Sequence, residues 1–321
     1  MKKVAVLTTG GTIASKPNKN GRLESGIFTG EELSDLVGIP KDIEVHIYSI
    51  LQKPSIHISF DDLDELKEKI EKLTFEEKID GIVITHGTDT MEETAYYLDL
   101  TLDVKIPVVL TGSQRSPEEL GSDANINLRH AIYAAGDSQL NGIGVTVVFN
   151  ERIFSAIHVK KEHASNIQGF NSFGFGYLGI IDNNKIHVYQ KPVKSEYYKV
   201  KPKKSITVDI IKCYLESDGK FITACVDAGV NGIVLEGVGR GQVSPSMIAA
   251  IQKAIDRGIK IVITTSAEEG EVYPTYDYNG SAYDLYKRGV VLGKDYDSKK
   301  ARIKLMVCLK SNSDVNAAFE R

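Results

Sequence analysis

Near its beginning the chain reads Val4-Ala5-Val6-Leu7-Thr8-Thr9-Gly10-Gly11-Thr12-Ile13-Ala14-Ser15. The unbroken apolar run from Val4 to Leu7 is typical of a strand that is buried on both faces. Two glycines follow it, and glycine allows both a sharp turn and a close approach of the backbone to a ligand. We therefore expect Thr12 at the carboxyl end of a strand, where open α/β sheets bind their ligands.

Further apolar runs alternate with amphipathic helical patterns along the chain. This alternation predicts an α/β fold with a mainly parallel sheet, flavodoxin-like or Rossmann-like, rather than a sandwich. The predicted strands of the first half span residues 4–8, 44–50, 81–85, 107–110 and 142–148. Helices are predicted to begin at Ser59, at Thr90, where Thr90–Glu93 has the form of a capping box, and at Asp123. Ile126, His130 and Tyr133 form one possible buried face of the third helix.

The chain is long enough for two domains, because 321 residues exceed the roughly 250–300 at which a single core stops growing. Residues 191–204 contain two prolines and six lysines, a composition that favours an exposed linker. We predict a larger N-terminal domain over residues 1–190 that holds the catalytic site, a linker over 191–204, and a smaller C-terminal α/β domain over 205–321. In the second domain, strands are predicted at 206–211, 232–236 and 259–264, with a helix opened by Ser244-Pro245.

Composition restricts the kind of partner. The chain carries 39 Lys+Arg against 43 Asp+Glu, and a net charge of -4 gives no field that would favour nucleic acid or a membrane surface. The three cysteines, Cys213, Cys225 and Cys308, lie far apart without metal-ligand spacing, so neither a metal site nor a disulfide is expected. The apolar run after Met1 is too short for a signal peptide, and we expect a cytoplasmic protein with a small-molecule ligand.

A second turn of the same kind follows the predicted strand at 81–85 and reads His86-Gly87-Thr88-Asp89. If the two strands are neighbours, the two Gly-Thr turns face one crevice. A threonine hydroxyl needs a proton acceptor to act as a nucleophile, and a carbonyl oxygen that becomes an oxyanion needs N–H donors such as those of a glycine turn. Asp89 can receive a substrate ammonium, and helix N-terminal N–H groups can receive a carboxylate. Together these groups suit a free amino acid, and we interpret His86 as a hydrogen-bonded neighbour rather than a base.

The motifs at 9–14 and 86–95 resemble the two signature motifs of the bacterial-type L-asparaginase family, and the segments 108–115, 122–127 and 299–302 are similar to further family segments. The resemblance implies hydrolysis of L-asparagine to L-aspartate and ammonia without a metal or organic cofactor. Two alternatives stay open: a glutaminase-asparaginase and, from another class, a non-catalytic amino-acid-binding protein. Family members complete each site with a second subunit, so the resemblance also implies a homodimer or homotetramer.

Carried over by position, the resemblance implies that Thr12 is the nucleophile and forms an acyl-enzyme. Thr88, Lys161 and Asp89 match the family's second triad, with Lys160 as the alternative if the alignment shifts by one residue. Whether Lys161 acts as a base or as an orienting charge is open. The expected substrate-binding residues are Gly11, Ser55, Gly87, Thr88 and Asp89.

The sequence departs from the family pattern at three places. Ile56 stands where a polar neighbour of Ser55 is usual, the loop at 25–30 lacks the tyrosine that helps to activate the nucleophile, and residues 273–283 hold no clear match to the glutamate that a neighbouring subunit supplies. These departures suggest the hypothesis that Thr12 is activated differently, through water or through Tyr276 or Tyr278.

Overall fold

The computed structural model describes residues 1–17, 20, 23–24, 42–192, 196–201 and 205–320. The loop at 25–30 and residues 193–195 and 202–204 of the predicted linker lie outside the described residues. The chain divides into two compact units, Met1–Tyr197 and Tyr198–Arg321.

Within the residues that the structure describes, the larger unit contains one large sheet and two short ladders. Its strands are β1 (Lys2–Thr8), β2 (Lys16–Pro17), β3 (Leu23–Glu24), β4 (Ile43–Ser49), β5 (Gly81–Thr85), β6 (Val108–Thr111), β7 (Val145–Phe149), β8 (Arg152–Ser155), β9 (Lys160–Lys161), β10 (Phe170–Asn171), β11 (Gly179–Asp182) and β12 (Lys185–Val188). Its helices are α1 (Phe60–Phe75), α2 (Met91–Thr101) and α3 (Ala124–Gly136).

Eight of these strands form the main sheet, in the order β12-β11-β8-β7-β6-β5-β1-β4. The five strands from β7 to β4 pair in parallel, and β8, β11 and β12 are added antiparallel. The short ladders β2–β3 and β9–β10 are antiparallel and lie outside the main sheet. The predicted mainly parallel α/β sheet is therefore confirmed.

Side-chain alternation along β1 explains its burial. Val4 and Val6 belong to the same buried cluster as Val83, Val109 and the apolar residues of α3. Because side chains of a strand point alternately to opposite faces, Ala5 and Leu7 project to the other face of the sheet. Both are fully buried, so β1 is a central strand covered on both sides.

Two details of the helix predictions are wrong. Thr90 precedes α2 but makes no side-chain cap, because its hydroxyl donates instead to the carbonyl oxygen of Ser55 at 3.0 Å. Of the predicted face of α3, Ile126 is 43% exposed, whereas His130 is buried and Tyr133 packs partly buried against the core. The capping box of this unit lies at the start of α1, where Ser59 and Asp62 exchange hydrogen bonds.

The smaller unit has a four-stranded parallel sheet, β13 (Val208–Lys212), β14 (Gly232–Gly237), β15 (Lys260–Thr265) and β16 (Val291–Leu292), in that order. Its helices are α4 (Lys220–Ala228), α5 (Ile248–Asp256), α6 (Ala282–Lys287), α7 (Ser298–Ser311) and α8 (Val315–Glu320). The first three strands correspond to the predicted ones. A 3-10 turn at Pro245–Met247 leads into α5, so Ser244-Pro245 opens that turn rather than the α-helix directly.

Across the part of the chain that the structure describes, no helix is long and apolar enough to cross a membrane.

Candidate active site

The two Gly-Thr turns lie at the same edge of the main sheet. β1 and β5 are neighbours, and Thr8 pairs with Thr85 as the last residue of each strand. Gly11 has φ 83° and begins the 3-10 turn Thr12–Ala14. A Cβ placed on Gly11 would lie 2.5 Å from the backbone nitrogen of Gly87, so the two turns are in backbone contact. This contact carries Thr12 to the segment that contains Thr88.

Side-chain hydrogen bonds hold the first turn in place. The hydroxyl of Thr9 donates to the carbonyl oxygen of Thr85 at 2.8 Å, which ties the turn to β5. The hydroxyl of Ser15 donates to the carbonyl oxygen of Gly11 at 2.8 Å and closes the 3-10 turn on itself. Both hydroxyls are buried, and a buried hydrogen bond resists competition from water. The backbone around Thr12 is therefore fixed from both sides.

The structure brings Lys161 to the second turn. Its Nζ lies 2.8 Å from Oγ1 of Thr88 and 2.6 Å from Oδ1 of Asp89. The Lys161 side chain is 12% exposed and that of Asp89 is 72% exposed, so the ion pair extends from a largely buried position to the surface. Lys161 pairs with Phe170 in the β9–β10 ladder, whereas Nζ of Lys160 lies 5.9 Å from the ring centre of Phe173.

Ser55 completes the predicted set. It is buried at the start of a 3-10 turn, Ser55–His57, and a Cβ on Gly87 would lie 2.9 Å from its Oγ. The hydrogen bond from Thr90 to the Ser55 carbonyl holds this turn against the start of α2. The neighbouring Ile56 is 70% exposed. Residue by residue, backbone contacts and hydrogen bonds link the predicted substrate-binding residues into one cluster: Gly11, Ser55, Gly87, Thr88 and Asp89.

His86 has a structural place beneath the second turn. Its Nδ1 lies 2.7 Å from the carbonyl oxygen of Gly87, and its Nε2 lies 3.0 Å from the hydroxyl of Thr94. A carbonyl oxygen only accepts, so Nδ1 carries the hydrogen and Nε2 accepts from Thr94. Complete burial lowers the pKa of His86 to about 4. The ring is therefore neutral near pH 7 and both of its nitrogens are occupied, which fits a hydrogen-bonded neighbour rather than a base.

A third segment borders the cluster. Both carboxylate oxygens of Asp123 accept from the backbone N–H of Gln114 at 3.1 Å, and Oδ1 also accepts from that of Arg115 at 3.0 Å. Asn127 donates to the carbonyl oxygen of Gly112 at 3.0 Å. These bonds place Oε1 of Gln114 3.4 Å from the hydroxyl of Thr88. The two family-like segments at 108–115 and 122–127 thus fold together as one wall of the site.

Sequence reasoning missed Gln114 and Glu92. Glu92 is buried and accepts a hydrogen bond from the backbone N–H of Lys161 at 2.6 Å. The pattern placed it in the first turn of α2, where acids are common for reasons of helix electrostatics alone. A carboxylate next to Met91 in a helix rich in apolar residues was the available signal, since charged side chains are almost never fully buried without a partner.

The cluster has the parts that acyl transfer requires, namely a hydroxyl on a fixed turn, N–H groups of glycine turns and a cationic group that contacts a second hydroxyl. The described residues contain no group of three or more His, Cys, Asp or Glu that would hold a metal ion. Cys213, Cys225 and Cys308 are free thiols, and burial raises the pKa of Cys213 to about 11.

Two facing Gly-Thr turns at the carboxyl edge of a mainly parallel sheet place the chain among the α/β proteins, in which ligands bind at that edge. Sequence comparison identifies the family of the chain. Residues 3–194 match the family described as Asparaginase, N-terminal, and residues 207–320 match the Glutaminase/Asparaginase C-terminal domain. The chain belongs to the asparaginase family, which confirms the resemblance seen in its motifs.

Individual relatives agree with this placement. The chain is 59% identical over 310 residues to an L-asparaginase of Bacillus licheniformis, with 97% of this chain and 96% of that protein covered. It is 34% identical to L-asparaginase 2 of Bacillus subtilis (strain 168), with 97% and 83% covered. A crystal structure of the probable cytoplasmic L-asparaginase from Campylobacter jejuni is similar over 100% of both chains, with a TM-score of 0.90 and 31% identity.

Proposed function

We propose that this chain hydrolyses L-asparagine to L-aspartate and ammonia through an acyl-enzyme on Thr12. The observation that carries the proposal is the contact of Lys161 Nζ with both Thr88 Oγ1, at 2.8 Å, and Asp89 Oδ1, at 2.6 Å, on the turn that touches the Thr12 turn. Family membership and the 59% identity to an L-asparaginase support the same reaction.

In the first step, Oγ1 of Thr12 attacks the side-chain amide carbon of the substrate. The carbon–nitrogen bond breaks, the hydroxyl proton passes to the leaving nitrogen, and ammonia departs. Backbone N–H groups of the glycine turns are suited to stabilise the oxyanion that forms on the amide oxygen, and fixed donors of this kind contribute about 3–4 kcal/mol each to such steps. In the second step, water attacks the ester carbon, and Thr12 regains its proton as L-aspartate leaves.

Thr88, Lys161 and Asp89 are assigned to proton handling. An ammonium at Nζ carries three hydrogens, so Lys161 satisfies Thr88 and Asp89 at the same time. The lysine donates to Oγ1 of Thr88, so the hydrogen of the Thr88 hydroxyl points away from Nζ and towards Oε1 of Gln114 at 3.4 Å, a long hydrogen bond that a reacting group can replace. This geometry favours Lys161 as an orienting charge, with Thr88 as the group that contacts the attacking water or nucleophile.

The ends of the amino acid are assigned by charge. The exposed carboxylate of Asp89 is assigned to the α-ammonium, and Ser55 to the α-carboxylate, since a charge-assisted hydrogen bond is roughly twice as strong as a neutral one. Because a site built for both charged ends selects free amino acids, peptides and acylated amides are expected to be poor substrates.

Ammonia release tests the reaction. The purified protein is incubated with L-asparagine or L-glutamine at equal concentration, and ammonia and the amino-acid product are both measured. Equal amounts of ammonia and L-aspartate are expected. The family resemblance alone implies a preference for asparagine, and because one methylene is worth about 1–3 kcal/mol in a pocket, that preference is expected to be about 10-fold or more. A rate on glutamine equal to that on asparagine would establish a glutaminase-asparaginase, and binding without ammonia would establish an amino-acid-binding protein.

We further propose that the protein acts in the cytoplasm as a homodimer or homotetramer, as its resemblance to the family implies. The Campylobacter jejuni protein is described as cytoplasmic, which supports the compartment. Sedimentation velocity at micromolar concentration measures the assembly, and a monomer with full activity would contradict this part of the proposal.

A further inference from the structure

The backbone segment that carries Lys161 is only weakly stabilised by its own strand pairing. It belongs to a ladder of only two residues on each strand, Lys160–Lys161 with Phe170–Asn171, outside the main sheet. A two-stranded pair of this size is at best marginally stable on its own in water. A lysine side chain also has many rotamers, and fixing it costs conformational entropy. The position of Nζ therefore needs further support from elsewhere in the fold.

Glu92 supplies a contact at the backbone end of this lysine. Its Oε2 accepts from the Lys161 backbone N–H at 2.6 Å, a short distance that is typical of a hydrogen bond to a charged acceptor. Glu92 is 1% exposed. A buried carboxylate costs several kcal/mol unless it is hydrogen-bonded, so this bond anchors both partners.

The contacts of Lys161 converge on one short segment. Thr88 and Asp89 hold its Nζ, and Glu92, one helical turn further along, holds its backbone nitrogen. The side-chain end of the lysine is thus bound to the turn before α2, and its backbone end is bound to the first turn of that helix. We propose that Glu92 is a positioning residue, which sets the reach of Lys161 towards Thr88 through the Lys161 backbone. The inference rests on the proposed function, because it needs Lys161 to take part in turnover.

Three substitutions separate this role from a general effect on folding. Glu92→Met removes the acceptor while keeping the side-chain length, and Glu92→Gln restores a neutral acceptor oxygen at the same reach. Glu92→Asp keeps the charge, but its shorter side chain moves the carboxylate away from the Lys161 backbone N–H by about one carbon–carbon bond. Glu93→Met is the matched control, because Glu93 lies on the same helical turn but is only partly buried. Steady-state kcat and KM for L-asparagine and thermal unfolding are measured for each.

A misplacement of about 1 Å costs on the order of 100-fold in turnover, so we expect Glu92→Met to lower kcat by about 30- to 100-fold with KM changed less than about threefold. Glu92→Gln is expected to recover kcat to within about fivefold of the unsubstituted enzyme, Glu92→Asp to lie between the two, and Glu93→Met to change kcat less than about twofold.

The inference is overturned if the kcat of Glu92→Met equals that of the unsubstituted enzyme. It is also overturned if Glu92→Gln loses as much kcat as Glu92→Met while both variants unfold at the melting temperature of the unsubstituted enzyme. If Glu92→Met does not fold, Glu92→Asp decides, and a kcat equal to that of the unsubstituted enzyme would overturn the inference. Lys161→Met separates this failure from failure of the proposed function. Full activity of Lys161→Met contradicts the triad itself, whereas an inactive Lys161→Met beside an active Glu92→Met removes only the role of Glu92.

Discussion

The contact between the two Gly-Thr turns is open to a direct test by Gly11→Ala. A Cβ on Gly11 would lie 2.5 Å from the nitrogen and 2.6 Å from the Cα of Gly87, and both of these are backbone atoms that no rotamer change can move. An ordinary contact begins at 3.4 Å, so the turns must separate by about 0.9 Å, the difference between 3.4 Å and 2.5 Å. Gly11 also has φ 83° with ψ 178°, a backbone region that is essentially restricted to glycine and costs an alanine about 1–3 kcal/mol.

Gly142→Ala separates strain from displacement. Gly142 has φ +71°, yet a Cβ there would meet nothing within 4 Å. Both variants place an alanine at a positive φ, which costs about 1–3 kcal/mol and lowers the melting temperature of a unit of this size by about 2–12 °C. Only Gly11→Ala moves Thr12 away from Thr88, and a displacement near 1 Å costs about 100-fold in turnover.

The assay is ammonia release from L-asparagine at saturation, with calorimetry on the same samples. We expect Gly142→Ala to keep its kcat within about twofold and Gly11→Ala to lose about 100-fold while still folded. Equal kcat for the two variants would refute the reasoning, because it would mean that the close contact with Gly87 does not set the geometry of the site.

Three further predictions concern single side chains. His86 has a folded-state pKa of about 4, below its ordinary 6.5, so the unfolded chain binds a proton between these pH values that the folded chain does not. The contribution of His86 to the free energy of unfolding is therefore expected to be fully present above pH 6.5 and to fall by about 3 kcal/mol towards pH 4. Urea titrations at several pH values should show that the free energy of unfolding of His86→Gln depends less on pH. An unchanged pH dependence in His86→Gln would exclude His86 as the source. Lys161→Met is expected to lower kcat by about 100- to 10,000-fold, because without the lysine Thr88 is no longer oriented for proton transfer, with Lys160→Met within about threefold, and the reverse order would move the triad to Lys160. Tyr276 and Tyr278 stack with ring centres 5.8 Å apart and are both about half exposed, and unchanged turnover in both the Tyr276→Phe and the Tyr278→Phe variants would rule out the hypothesis that either one activates Thr12.

Burial on both faces explains which parts of the fold the sequence predicts well. The strand Gly81–Thr85 is buried at every residue, so its apolar run is continuous and its bounds are predicted without error. The hairpin Gly179–Asp182 with Lys185–Val188 was not predicted, because these short strands at the edge of the sheet alternate buried and exposed residues and contain few apolar side chains. Edge strands leave a weak pattern for this physical reason.

Long-range pairing explains what could not be predicted about the site. Lys161 lies 73 residues from Thr88 in the chain, and no local pattern brings the two together, so Lys161 was found through resemblance alone. The local pattern predicts a cap because the oxygen of Thr90 could accept from a backbone N–H of α2, and only the fold shows that the hydroxyl donates to the carbonyl oxygen of Ser55. The two Gly-Thr turns were predictable, since an apolar run that ends in glycine is visible in the local sequence and glycine allows a sharp turn.

The role of Thr12 as nucleophile is tested most directly by ammonia release from saturating L-asparagine in Thr12→Ala, measured beside the unsubstituted enzyme, with circular dichroism to verify the fold. We predict that the variant keeps its fold and loses all but a few per cent of steady-state turnover. Turnover clearly above that level in a folded Thr12→Ala would contradict an acyl-enzyme on Thr12.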